Sequence, residues 1–425
     1  MDLQTIKSKA EKVFEVFAIV VAFLVLIYLP FYELFLHFLQ SYTHLSDEKI
    51  FWISHFYEPI LLLLLLAFGI KFAVTRKLPK FERVDLFIFA FIAWTFIAVA
   101  VHFGDLSRGL EGVRFLLLPY ALYTILRLSN YKKPHHLIQI YLFIAILFAA
   151  LGVVEYFLLP KGYMDIYYKI ADFGFGQNGL VSVSQATAFL AGPNQLASYL
   201  ILPYFYLLHR IFSSKKELFT NLDSYLLLLV TLAIGLTYSR SALIGLVVGT
   251  ILLFFCFGKE QREKIIYMIL FIVAAITLAI SYALANGELP SDLLTHGSSF
   301  SQHFSSTKNS FMAFIHGGFL KILFGFGVGS AGPTALKLGG VISENYYLQV
   351  VYELGLVGIS LFFAFLYLLL KKLFSSSKTL FFAFIALLVN ALFLHIFSDN
   401  PAMAASVFII LATVINVETQ NSGSG

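Results

Sequence analysis

Apolar runs of roughly 17 to 25 residues alternate along the chain with short polar segments, the pattern of a protein that threads a bilayer many times. They fall at approximately 13–30, 57–74, 85–103, 109–128, 136–158, 187–208, 223–239, 240–257, 264–285, 345–370, 379–397 and 400–417. The pattern predicts an all-α polytopic bundle of about twelve transmembrane helices, forming a single integral membrane domain over 1–421. The first run lacks a small-x-small cleavage site and reads as a retained helix. Ser422–Gly425 reads as an appended tail. Two polar segments, 160–186 and 286–343, are long enough to build a cap, and loops of that length are usually functional or disordered.

Composition supports a membrane location. The 425 residues are 59% hydrophobic and 12% charged with 47 Phe, more apolar surface than a soluble fold of this length could bury. Cys256 is the single cysteine, so there is no intrachain disulfide. The net charge of +5 does not point to nucleic acid, because the basic residues sit in short clusters between apolar runs.

Those clusters fix an expected topology. Lys7/Lys9/Lys12, Lys71/Arg76/Lys77/Lys80/Arg83, Arg127/Lys132/Lys133, Arg210/Lys215/Lys216, Lys259/Arg262/Lys264 and Lys371/Lys372/Lys378 occupy alternate connections, which marks one side as cytoplasmic, with both termini on it. Ser224–Phe257 could hold one tilted helix or two tight ones. Only a hairpin turning near Tyr238–Ser241 keeps the Lys259–Lys264 cluster inside. The long loops then lie outside the cytoplasmic membrane, where ATP is scarce, so chemistry there needs a substrate that arrives activated.

The polar residues expected on the outer side are few. Arg108 and Arg114 flank the start of the fourth helix, and Arg240 lies at the hairpin turn. A guanidinium offers a rigid fork of donors suited to a diphosphate or a carboxylate. Arg114 could instead pair with Glu111 at i, i+3. Arg240 has no acid within six residues, so its partner must come from another helix or a ligand. Asn345, Gln349, Tyr352 and Glu353 stand at i, i+4, i+7 and i+8, and therefore on one helix face. A carboxylate at that depth costs on the order of 3 kcal/mol, so the stripe must face protein or water. It is either an interhelical hydrogen-bond seam or a surface that orients sugar hydroxyls. Glu344, at the helix mouth, is a candidate site residue.

Other motifs carry less. GFGVG at 325–329 has no preceding strand and no Lys-Ser/Thr after it, so it reads as a tight turn beside a cavity rather than a phosphate loop. In AGPNQLASYL at 191–200, Gly192-Pro193 can start or break a helix, and Asn194 and Ser198 then share a face at i, i+4. The eleven histidines, including His135, His136, His296, His303 and His316, show no metal spacing, and neither metal nor cofactor is expected.

With AGPNQLASYL, YSRSALIGL at 238–246 and FGFGVGSAG followed by ENYYLQVVYELGLVG at 344–358, the chain resembles the O-antigen ligase/O-antigen polymerase superfamily of bacterial membrane glycosyltransferases. The order and spacing of these motifs cover about 170 residues. The resemblance implies a GT-C-like membrane bundle that transfers a glycan from an undecaprenyl-diphosphate-linked oligosaccharide donor on the outer face of the inner membrane. It implies no nucleotide sugar and no catalytic metal. By that likeness Arg240 and Arg114 bind the diphosphate. From the chemistry of the residues themselves, Arg108 is expected beside them, Glu344 at the helix mouth is the expected general base, and Asn345, Gln349, Tyr352 and Asn194 are expected to line the substrate. The acceptor glycan is a second partner and a chain-length regulator protein a third candidate. Ligases typically show His-Asn where this chain has Glu344-Asn345, and polymerases more often an acidic residue, which favours a polymerase over a lipid A core ligase or a protein-glycosylating member. A lipid-linked oligosaccharide flippase is the alternative of another class. It would carry charges reachable from both faces and a weak internal repeat, neither of which is visible here.

Overall fold

The structure, a computed structural model, describes residues 3–421 apart from 44, 77–80, 103–105, 130, 159–184, 214–220, 257, 259–261, 264–265, 268–296, 333–334 and 336–339. No strand occurs among the described residues. The helices are α1 (Leu3–Tyr28), then past a 3₁₀ turn at Leu29–Phe31 α2 (Tyr32–Tyr42), α3 (Asp47–Ser54), α4 (Tyr57–Thr75), α5 (Arg83–Val101), α6 (Leu106–Ser129) and α7 (Pro134–Leu158). They continue as α8 (Pro193–Ser213), α9 (Leu222–Leu236), α10 (Arg240–Cys256), α11 (Gly297–Ile315), α12 (Phe319–Phe324), α13 (Tyr346–Ser376), α14 (Lys378–Asn390), α15 (Ile396–Asp399) and α16 (Pro401–Asn421).

Among the described residues seven stretches are long and apolar enough to cross a membrane: Lys7–Gln40, Glu58–Thr75, Arg83–Val101, Leu106–Ser129, Pro134–Leu158, Tyr346–Ser376 and Pro401–Glu418. The apolar helices α9, α10 and α14 are shorter, at 15, 17 and 13 residues. All but residues 266–267 of the predicted span at 264–285, and nearly all of the loop at 160–186, lie outside the described residues. The outward surface is that of an all-α membrane bundle. Helix α1 turns Phe14, Ala18, Val21 and Val25 inward, yet Val13, Val16, Val20, Leu24 and Ile27 are exposed on its other side. A helix apolar all round needs lipid on the face that protein does not cover.

Contacts between helices define two ends. At one, Arg127 of α6 forms a buried two-point ion pair with Asp85 of α5, at 2.8 Å and 2.7 Å, and also donates to Asn416 of α16. Lys372 of α13 reaches Glu82 and Glu418 there, and Lys71 of α4 lies over Phe14 of α1. Phe14 of α1 and Glu418 of α16 therefore lie at this Arg127 end. Arg127, expected as a loop charge, is instead enclosed in the bundle. The opposite end holds the C-terminus of α5, the N-terminus of α13 and the turn after α14.

The 224–257 stretch is two helices, as its charge pattern requires. Arg210 of α8 pairs with Asp223 at the start of α9, which places that start at the Arg127 end. Helix α10 then runs back along α14: a Cβ on Gly245 would touch Ala386 O and one on Gly249 would touch Phe382 O, while Thr250 meets Tyr204 of α8. Two glycines four residues apart let the α10 and α14 backbones approach closely, the usual device of packed membrane helices.

Candidate functional site

The site is built from three irregular stretches of backbone at the end opposite Arg127. The first is the mouth of α13. Asn345 caps that helix, its Oδ1 accepting from Leu348 N at 2.9 Å, and its Nδ2 donates to Leu392 O at 2.7 Å. Tyr346 N donates to Ala391 O at 3.0 Å. Glu344 N donates to His395 Nε2 at 3.1 Å, and Glu344 itself is half-buried with φ 51°.

The second is a break inside α13. The sequence predicts one uninterrupted helix over 345–370, but Gly355 has φ 69° and ψ −171°, which ends the ladder of helical hydrogen bonds. Carbonyls stranded by such a break in an apolar setting cost several kcal/mol each unless paired. The GFGVG stretch supplies partners: Phe326 N bonds Tyr352 O at 2.8 Å and Gly327 N bonds Glu353 O at 3.2 Å. Ala331 N donates to the Glu353 carboxylate at 3.2 Å, so the loop wraps both the main chain and the acid. Its glycines serve this embrace.

The third is the turn before α8. That helix starts at Pro193, six residues later than the apolar run suggests, because Glu155 of α7 holds residues 187–188 in another conformation. Its carboxylate accepts Thr187 N, Thr187 Oγ1 and Ala188 N at 2.8–2.9 Å. Ala186 N bonds Leu236 O, which joins this turn to the hairpin turn, and Tyr156 and Tyr238 share a hydrogen bond at 2.6 Å.

Left-handed backbone at a residue other than glycine costs roughly 1–2 kcal/mol. It occurs at Arg76, Ala188, Phe189, Tyr238 and Glu344 among the described residues. Arg76 caps α4. The other four lie at the Glu344 end, in or beside the three stretches that carry the motifs, and strain held in place by surrounding structure is commonly associated with function.

The sequence-predicted residues divide into two groups. Arg240 opens α10 and is exposed, with no ion pair among the described residues. A cation at a helix N-terminus faces the positive end of the helix dipole, so an anion there would relieve it. Gly245, just over one turn further along α10, lies against Asn390, which immediately precedes the 391–395 turn that touches Glu344–Tyr346, so Arg240 and Glu344 share one end of the bundle. Arg114 does not pair with Glu111: its Nε and one terminal nitrogen bond Glu58 Oε1 of α4 at 2.7 Å and 2.6 Å. Arg108 packs its carbonyl and Cγ against Gly329 of the glycine-rich loop.

The second group is engaged internally. Gln349 is buried between Ser398, which donates to it at 2.8 Å, and Glu353 at 3.5 Å. Tyr352 stacks on Phe326 with centroids 4.4 Å apart. Asn345 spends both amide atoms on the cap and Leu392. Gln349, Tyr352 and Asn345 thus each have a partner within the protein, as a seam between elements requires. Asn194 is half-buried in the first turn of α8, and Ser198, its expected companion, bonds Asn390 at 2.8 Å. The face that Asn194 and Ser198 share is thus partly taken up by packing against α14.

Several polar residues here are not evident from local sequence. Asp399 of α15 accepts from Gln195 Nε2 at 2.7 Å, and burial pushes its carboxyl up to about 6 against the pull of that hydrogen bond. Asn400 bonds Gln195 O, and Ser398 links α15 to the seam. Gln195 and Asp399 lie 204 positions apart, so only SDN before an apolar run hinted at a cap. Among the described residues no three His, Cys, Asp or Glu cluster as a metal site would require. His296 lies outside them, and His316 bonds Met312 O.

Comparison with protein-family models and with curated proteins gives no match to this chain.

Proposed function

We propose that the chain is an O-antigen or surface polysaccharide polymerase of the bacterial inner membrane. It would transfer glycan from an undecaprenyl-diphosphate-linked donor to a sugar hydroxyl of a second lipid-linked repeat unit. The single observation that carries this reading is the gathering at one end of an exposed guanidinium, Arg240, that has no ion pair among the described residues, and a half-buried carboxyl in strained backbone, Glu344. Arg108 and Arg114 stand at the same end, and Lys71, Arg127, Arg210 and Lys372, each from a basic cluster, stand at the opposite one.

The chemistry follows from those groups. The acceptor hydroxyl oxygen attacks the anomeric carbon while the bond to the diphosphate breaks on the opposite face, which inverts the centre. Glu344 takes the hydroxyl proton, and the lipid diphosphate departs with the bonding pair. Fixed positive charge at Arg240 and Arg114 stabilises the negative charge that builds on the leaving group. Arg114 already holds Glu58, so it would meet the diphosphate as a shared cation, and Arg240 carries the larger part.

The test is substitution in the purified protein. Arg240→Ala and Glu344→Gln are each expected to abolish polymer formation while the protein keeps its elution profile and thermal transition. Normal polymer from either variant removes that residue from the mechanism. A lipid A core acceptor added to the same reaction separates the ligase alternative, which would attach glycan to the core.

A further inference from the structure

Residues 344–346 are tied one after another to the short turn between α14 and α15. Glu344 N bonds the His395 ring, Asn345 Nδ2 bonds Leu392 O, and Tyr346 N bonds Ala391 O. Of these three ties only the first uses a side chain on the turn. A backbone N–H can only donate, so His395 Nε2 must present its lone pair, and a neutral ring then carries its proton on Nδ1. The same residue acts a second time through its main chain. His395 O accepts Asp399 N at 2.8 Å and Ser398 N at 2.9 Å, which opens α15. His395 therefore touches the backbone of Glu344 with its ring and that of Asp399 with its carbonyl, and it is itself buried.

Glu344 is held in left-handed backbone, a conformation that a residue with a Cβ does not keep without outside support. Asn345 and Tyr346 are fixed by the helix they begin. Glu344 precedes the helix, and its amide bond to His395 is what ties its own main chain to the turn. We propose that His395 is a positioning residue for Glu344: its neutral ring, by accepting the Glu344 N–H, fixes the backbone that sets where the Glu344 carboxylate points. This rests on the reading of Glu344 as the base that takes the acceptor proton. His395 touches neither substrate nor reacting atoms in this scheme, and acts through Glu344 alone.

The test uses the full chain in lipid with a lipid-diphosphate-linked oligosaccharide as substrate, comparing His395→Leu, His395→Gln and Glu344→Gln. Leucine removes the acceptor, whereas the glutamine amide oxygen can replace it. Misplacement of a reacting group by about 1 Å costs on the order of 100-fold. His395→Leu is therefore expected to lower kcat by about that factor, with KM for the donor changed less than about twofold and with activity largely restored in His395→Gln. Hydrogen exchange of a peptide spanning 341–348 should quicken in the leucine variant and return to the wild-type rate in the glutamine variant. If Glu344→Gln is inactive while His395→Leu keeps wild-type kcat, the positioning role is wrong. If Glu344→Gln is itself fully active, the reading of Glu344 fails instead, whatever the exchange data say about the bond.

A readout on the wild-type protein does not depend on any variant folding. His395–Ile396 is the only His-Ile pair in the chain, so paired isotope labelling of histidine and isoleucine assigns it uniquely. A ring protonated on Nδ1, with Nε2 as acceptor, is the expected nitrogen spectrum near pH 8. A neutral ring protonated on Nε2 overturns the proposal.

Discussion

Trp94 Nε1 of α5 donates to the carbonyl oxygen of Leu354 at 3.0 Å, across the break that Gly355 makes in α13. Tyr352, Glu353 and Leu354 thus each have their carbonyl paired from outside the helix, by Phe326, Gly327 and Trp94 in turn. The break is a constructed feature, and Gly355 is its pivot. A Cβ on Gly355 would come 2.2 Å from Leu323 O, on top of the cost of its positive φ. Gly355→Ala should therefore destabilise the protein by about 3 kcal/mol or more, read as a lowered thermal transition in detergent. Gly235→Ala, where a Cβ meets nothing within 4 Å, is the control and should leave that transition in place or raise it.

The ion pair of Arg127 with Asp85 makes a second prediction. Both side chains are almost fully enclosed, at 5% and 2% exposure, so removing one leaves an unpaired buried charge. Arg127→Met should cost about 3–5 kcal/mol. The double variant Arg127→Met with Asp85→Asn should recover part of that loss, since no charge then remains buried. A double variant less stable than Arg127→Met alone would mean that Asp85 matters chiefly through its hydrogen bond to Glu82 N at the start of α5.

Asp399 gives a prediction in pH. Its carboxyl titrates near 6 in the folded protein, above the ordinary aspartate value of about 3.9, so the folded chain holds that proton more tightly than the unfolded one. The stability this contributes is full below the ordinary value and is lost as pH rises through about 6. Asp399→Asn keeps an acceptor oxygen for Gln195 and removes the titration. Relative to wild type, the variant should be more stable at pH 7.5 than at pH 4.5, judged by thermal unfolding at both. An equal difference at the two pH values would show that the carboxyl titrates normally.

Glu155 holds the turn before α8 by three hydrogen bonds to residues 187 and 188. Glutamine keeps one acceptor oxygen in place of two. Glu155→Gln is expected to speed hydrogen exchange at residues 186–190 about tenfold or more, corresponding to loss of one charge-assisted bond. Unchanged exchange there would mean that the link of Ala186 to Leu236 alone sets the turn.

How much of this could be read from the sequence depends on the range of the interaction. The membrane helices announce themselves because an apolar run is a local property, and the α9–α10 hairpin follows from where Lys259–Lys264 must lie. The break at Gly355 does not, since LGLVG inside an apolar run looks like ordinary helix until Leu323 and Phe326 are brought beside it. Spacing offers Arg114 only Glu111 as an alternative partner, whereas Glu58, which it holds, is 56 positions away. Asp399, His395 and Gln195 are unremarkable alone and matter only once α8, α13 and α15 converge. GLVVG at 245–249 is a local signal of the same kind as the apolar runs, and marks the close face of α10 that packs on α14.

The most direct measurement is incubation of the purified chain, reconstituted in vesicles, with lipid-diphosphate-linked repeat units, followed by sizing of the glycan. Lengthened glycan, absent with Arg240→Ala and Glu344→Gln, is the predicted result. Glycan that stays one repeat unit long but moves from one leaflet to the other would contradict a transferase and mark the chain as a flippase.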